Sequence, residues 1–322
     1  MKKLKKLKKE AFKSFVKNKA EQYINDFPQY ANCTVSAMEI NKINGKKEGL
    51  LFKTQGAEIG PHMNLDKAYK EYLNTNYSDE AWVTSYVTSF LEKAANISEQ
   101  KFANAEQAID AIKQSKMIPA LINKDFNKEY LKHFVYKDIP GTEFVAIVRA
   151  IIDITNDGIM SSVVSKDLLK MFGYTEDKLW EMATSDLEVQ VVPMADIILD
   201  SMAKEEMPKE IIDDMRKRLR NEVPWFVLTN KLRYYASGSI INSKVLSGIC
   251  EVIGSFYIIP SSVHDLILIP EEIIDMKSPD IEIEQFIQAV NKDDHLISSE
   301  EVLSNKLYYY SEETGLKLAF EQ

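Results

Sequence analysis

The chain has 322 residues, with 49 acidic side chains against 40 lysines and arginines, and only two cysteines. At roughly 150 residues per domain this length predicts two units whose cores are large enough to need no disulfide or metal staple. The net charge of −9 sets the field of the whole molecule against nonspecific nucleic-acid binding, and cysteines as far apart as Cys33 and Cys250 form neither a disulfide framework nor a zinc cluster.

The start, MKKLKKLKKEAFKSF, runs into amphipathic text rather than an apolar signal core. No later stretch gives about 18 consecutive apolar residues, so the expected location is the cytoplasm, with no membrane insertion. Nine lysines stand against Glu10 and Glu21 in the first 25 residues. That basic segment is a candidate for weak nucleic-acid attachment; the alternative is a lysine-rich helix start that keeps the chain soluble. Leu4, Leu7, Ala11, Phe12, Phe15, Val16, Tyr23, Ile24 and Phe27 recur near a period of 3.6 until Pro28 stops them, which predicts an amphipathic helix that packs on its own domain.

A hairpin is expected over residues 33–53, turning at Asn44-Gly45, with an edge strand near Ile59, Pro61 and Met63. Two helical stripes follow, Leu65 to Leu73 and Trp82 to Leu91. Residues 96–120 read as a polar helical connector ending before Pro119. The domain boundary is placed there, giving an N-terminal α+β domain over 1–118 and a C-terminal α+β domain over 119–322.

In the second domain FVAIVRAIIDI predicts a buried strand, Asn156-Asp157-Gly158 a turn, and IMSSVV a returning strand. SKDLLKMFG predicts a helix closed by Gly173, and Thr175 opens another. Strands are expected at VQVVP, WFVLTN, FYIIP and HDLILIP, and helices at KEIIDDMRKRLRNEV, VLSGICEVIG and around Ile283 to Val290. Ser298 and Glu301 have the spacing of a capping box, and KLYYY to LKLAF that of a final hairpin. This order is not a regular βαβ series, so the expected fold is α+β with mostly antiparallel sheets.

Two stretches carry candidate chemistry. In PSSVHD, Ser261 or Ser262 with His264 has the ingredients of acyl transfer, a hydroxyl beside an imidazole able to take its proton. An extended chain would point Asp265 away from His264, and no G-x-S-x-G elbow presents a nucleophile. In TNKLRYYASGS, Asn230, Lys231 and Arg233 at a strand end are suited to an anionic group, without the spacing of a phosphate loop. A polar ligand site built from Asn230, Lys231, Arg233, Ser261 and His264 is therefore the leading expectation. Its occupant is an unknown protein or a small anionic ligand; a serine-histidine hydrolase or transferase is the alternative.

His62, His133, His264 and His295 are widely spaced and form no metal-ligand pair, and neither a metal nor a cofactor is expected. Tyr308-Tyr309-Tyr310 alternates as a packed strand does, rather than as a base-stacking platform.

The phrases GIMSSVVSKDLLKMFGYTEDKLWEMA, WFVLTNKLRYYASGSIINSKVLSGICEVIGSFYIIPSSVHDLILIP and VNKDDHLISSEEVLSNKLYYY resemble domain-of-unknown-function family 5688, a family of bacterial proteins. The likeness is strongest from about residue 140 to 310. It implies a shared fold and brings no catalytic residues. Where the family shows an I-L-P-S-S-x-H-E phrase, this chain has YIIPSSVHD, with Asp265 in place of the longer glutamate.

Overall fold

The computed structural model describes residues 6–30, 32–55, 61–101, 105–155, 158–202, 208–273, 281–293 and 297–320. The chain divides into two compact units, Met1–Gln114 and Ser115–Gln322.

In the first unit, α1 (Lys9–Asp26) buries Phe12, Val16, Ala20 and Ile24, a strict four-residue stripe. A hairpin of β1 (Cys33–Lys42) and β2 (Gly45–Thr54) follows, Lys42 opposite Gly45, with Asn44 left-handed at φ 61°. β3 (His62–Asn64) adds antiparallel to β2. Asn64 then caps α2 (Leu65–Leu73), its Oδ1 accepting the Lys67 N–H at 2.9 Å. α3 (Asp79–Lys101) and α4 (Ala105–Gln114) complete the unit. Phe12, Leu50, Met63, Tyr72, Val83 and Val87 share one core, in which Phe12 stacks on Tyr72 at 4.7 Å. Burying each large side chain is worth about 1.5–3 kcal/mol, which is what fixes α1 against the hairpin. Leu4 and Ile59 lie outside the described residues.

The second unit begins with β4 (Lys116–Asn123), α5 (Lys128–Leu131), β5 (Tyr136–Asp138), β6 (Phe144–Thr155) and β7 (Gly158–Val163). The helix expected to run up to Pro119 is corrected here, because α4 ends at Gln114 and Lys116–Asn123 pairs with β6 along its length, Pro119 opposite Val148. Proline fits because β4 is an edge strand, where its missing N–H breaks no ladder bond. β6 is the centre of this sheet, with β4 on one side and β5 and β7 on the other. Asn156 and Asp157 of the expected turn lie outside the described residues.

Helices α6 (Lys166–Phe172) and α7 (Glu176–Thr184) follow, capped by Ser165 and Thr175, with Gly173 left-handed between them at φ 68°. Next come β8 (Gln190–Pro193), α8 (Met194–Met202), α9 (Lys209–Glu222) and β9 (Phe226–Thr229). A short helical turn (Ala236–Ile241) leads into α10 (Ser243–Ile253), β10 (Phe256–Ile259) and β11 (Leu266–Pro270). The chain closes with α11 (Ile281–Lys292), β12 (Tyr308–Ser311) and β13 (Gly315–Leu318). The last six strands to form pairs lie in the order β13-β12-β10-β11-β9-β8, antiparallel throughout. The fold is therefore mixed α+β with antiparallel sheets.

Ser298 and Glu301 close a single turn, Glu301 N–H to Ser298 O at 2.8 Å, and no helix starts there. The Glu301 carboxyl nonetheless accepts a backbone hydrogen bond from Ser298, as the capping-box spacing predicts, and it faces His264 as well.

Candidate functional site

Antiparallel pairing of β9 with β11, Leu228 opposite Leu266, sets the end of one strand and the start of the other at the same sheet margin. The segments leaving that margin, 230–239 and 260–265, therefore meet. Asn230 organises the first by bracketing Tyr234: its Oδ1 accepts the Tyr234 N–H at 3.1 Å and its Nδ2 donates to the Tyr234 carbonyl at 3.0 Å. Within this loop Arg233 and Tyr235 adopt φ 49° and 50°, the left-handed region that non-glycine residues seldom occupy. The second segment is the turn between β10 and β11. Ser262 Oγ accepts the N–H groups of His264 and Asp265 at 3.0 and 3.3 Å, and Ser261 Oγ donates to the Asp265 carbonyl at 2.9 Å.

Three hydrogen bonds and two ring contacts clamp the segments together. Tyr235 N–H donates to His264 Nδ1 at 3.2 Å, Ala236 N–H to the His264 carbonyl at 2.9 Å, and Ser237 Oγ to the Val263 carbonyl. The His264 ring also stacks on Tyr234 at 5.3 Å and meets the edge of Tyr235 at 5.1 Å. Because Nδ1 accepts, the neutral imidazole carries its proton on Nε2, which faces Glu301 Oε1 at 3.7 Å. That imidazole holds the Glu301 carboxyl below the ordinary glutamate value, against the opposing effect of its partial burial.

This geometry gives His264 and the serines other work than acyl transfer. Ser262 Oγ bonds backbone N–H groups rather than the imidazole, whose own two nitrogens face Tyr235 and Glu301. No activated serine is formed in this arrangement. Lys231 and Arg233 are exposed, and the Arg233 guanidinium lies 3.4 Å from Asp200. Of the expected ligand residues, Asn230 and His264 are brought together as supports of one loop, Ser261 stabilises the adjoining turn, and the two cations point to solvent.

One charged residue beneath the loop was not singled out from the sequence. Arg149, in the middle of β6, donates from Nη2 to Ser161 Oγ at 2.6 Å, and Ser161 Oγ lies 2.7 Å from the Tyr234 hydroxyl. Its guanidinium carbon is 4.5 Å from the centre of the Tyr235 ring. Burial pushes the Tyr235 phenol up to about 12, with Arg149 pulling the other way. Arg149 Nε is enclosed without a hydrogen-bond partner, and the side-chain partner seen for this guanidinium among the described residues is the Ser161 hydroxyl rather than a carboxylate. The signal available in the sequence was a lone cation inside the apolar run FVAIVRAII.

Beside the loop opens a cleft of about 260 Å³. Its apolar walls include Ile118 of β4, Ile151 of β6, and Leu232, Tyr234 and Tyr235 of the loop. Its polar lining has one lysine, Lys116, against Asp153, Asp186 and Glu188, and Lys116 lies 3.3 Å from Asp186 and 3.2 Å from Glu188. Ser239 also lines it, almost wholly buried, with an Oγ that has no partner among the described residues.

Among the described residues no cluster of histidine, cysteine, aspartate and glutamate is arranged to hold a metal ion, and no helix is long and apolar enough to cross a membrane. Asp294 and His295 lie outside the described residues. The lysines of α1 face the carboxylates of their own unit: Lys9 is 2.7 Å from Asp66 and Lys17 is 3.6 Å from Glu21, while Lys13 pairs with Glu10 and Glu48, and Lys19 with Glu80.

Fold and site together define a mixed α+β protein with antiparallel sheets and a clamped loop at a cleft of its C-terminal unit. The chain belongs to the family of unknown function DUF5688, whose model matches residues 9–312. No curated protein and no solved structure matches it.

Proposed function

We propose that this protein is a binding protein whose C-terminal unit holds a small, largely apolar molecule in the cleft beside the Tyr234-Tyr235 loop. The observation that carries this reading is the pair of left-handed non-glycine residues, Arg233 and Tyr235, held in place by Asn230 and His264. Such conformations cost about 1–2 kcal/mol each and persist where the surrounding structure over-determines them, often at ligand sites. Here they present two aromatic rings to one wall of a cleft. Its volume is near the lower end of small-molecule sites, which start at about 300 Å³.

The cleft's polar lining, with three carboxylates to one lysine, disfavours a purely anionic occupant, and Lys231 and Arg233 stand outside it. A reducing, cytoplasmic setting suits Cys33 and Cys250, neither of which is in a disulfide.

Ligand-observed NMR against a library of small apolar acids, amines and amides tests the reading. Ile154 and Leu232 line the cleft yet are 53 % and 41 % exposed, so the double variant Ile154→Asp/Leu232→Asp retains the fold. Saturable hits that disappear in it support the cleft. Hits that persist unchanged, or none at all, overturn it.

A further inference from the structure

We propose that Arg149 is the ligand-charge receptor of this site and that the occupant is a zwitterion, a free amino acid or short peptide with its carboxylate at Arg149 and its ammonium at the acidic rim. The inference rests on the cleft reading above and names its substrate class.

Three observations converge on it. First, a half-buried guanidinium needs an anion, because a charge withdrawn from water is stabilised only by a partner and by hydrogen bonds to its remaining donors. Arg149 has one such bond, to Ser161, an enclosed Nε without any, and no carboxylate partner among the described residues. In a chain with 49 carboxylates, that vacancy is a chemical preference. Its planar fork matches a carboxylate in two parallel hydrogen bonds.

Second, Arg149 stands on the cleft side of its sheet. It lies directly opposite Ile118 on β4 and two residues before Ile151, and both of those line the cleft. Tyr235, against which the guanidinium packs, lines it too. The positive charge is thus one layer in from the apolar walls.

Third, the cleft is acidic where Arg149 is not. Asp153, Asp186 and Glu188 outnumber Lys116 around the cleft, so the field runs from positive behind the apolar wall, where Arg149 packs against Tyr235, to negative in the polar lining. A plain anion meets repulsion on entry, whereas a molecule carrying both charges is aligned by it. From Arg149 to Asp153 is four residues of strand, roughly 13 Å, which two or three extended residues bridge once the side chains at either end reach inward. Between the charges, Ile118, Ile151 and Leu232 favour aliphatic side chains.

The experiment compares leucyl-leucine, leucyl-leucinamide and N-acetyl-leucyl-leucine by isothermal titration calorimetry on the full chain. Leucyl-leucine is expected to bind best. Its amide, which keeps the body and the ammonium, should bind at least roughly ten-fold more weakly, as the loss of a charge-assisted pair implies. The acetylated peptide should weaken only a few-fold, because the rim charges are more exposed and screened. In Arg149→Gln the acid and the amide should bind alike; Arg149→Lys, which keeps the charge and loses the fork, should fall between, and serves if the glutamine variant fails to fold. Equal binding of acid and amide to the natural protein overturns the role of Arg149 while leaving the cleft intact. Absence of saturable binding by all three peptides overturns the zwitterion outright, and the cleft reading then stands or falls on the NMR library alone.

Discussion

The Nδ1 atom of His264 accepts the backbone N–H of Tyr235 across 3.2 Å, so a side chain from one turn supplies the hydrogen bond that holds a left-handed residue in another. The bond requires a neutral imidazole, because a protonated Nδ1 donates and cannot accept. It also accounts for the position of the two tyrosines, whose rings pack against the same imidazole.

His264→Ala should lower the free energy of unfolding by about 1–3 kcal/mol, since it leaves the Tyr235 N–H without its acceptor. His264→Asn places an oxygen near the position of Nδ1 and should recover most of that loss. Urea denaturation of both variants measures the difference; equal losses would mean that ring packing, rather than the hydrogen bond, is what matters.

The Glu301 carboxyl is held below its ordinary value of 4.5 by His264. A depressed carboxylate binds fewer protons folded than unfolded, so its contribution is complete above about pH 4.5 and is lost as the pH falls through the folded value. Glu301→Gln should therefore flatten the fall of the melting temperature between pH 5 and 3. Melting curves that fall in parallel for both proteins would exclude this contribution.

Arg233 has an exposed side chain at φ 49°. Glycine or asparagine tolerates that conformation, so Arg233→Gly and Arg233→Asn should lie within about 0.5 kcal/mol of the natural protein, whereas Arg233→Val should lose about 1–2 kcal/mol. If valine matches glycine in urea melts, the left-handed geometry is not maintained in solution.

A methyl group added at Gly238 would lie 2.1 Å from the Pro119 carbonyl oxygen, backbone against backbone. Gly238→Ala should therefore cost about 2–3 kcal/mol, with the helical turn Ala236–Ile241 displaced from β4. Hydrogen exchange should show this as faster exchange in both segments. Unchanged protection there would contradict the close approach.

Much of the local structure was legible in the residues. The stripe Phe12, Val16, Ala20, Ile24 contains enough apolar surface to define α1 whatever it packs on, and Ser165, Thr175 and Gly173 mark helix ends by chemistry that acts within four residues. β4 was hidden because Pro119 reads as a helix stop in isolation; it becomes acceptable only when a sheet leaves that strand at its edge. α8 escaped notice because Met194–Met202 follows β8 without a turn signal.

The sequence alone determined the composition of the site: polar and aromatic residues at 230–239, a serine-rich turn at 260–265, and a cation within an apolar strand. Tertiary structure decided what each does. Pairing of β9 with β11 joined the two turns, turned His264 from a partner for serine into an acceptor for Tyr235, and the fold set the Tyr235 ring against Arg149. The reason is range. Caps, turns and hydrophobic periodicity act between near neighbours and are written in the order of residues, whereas a hydrogen bond between positions 235 and 264 depends on which strands lie side by side.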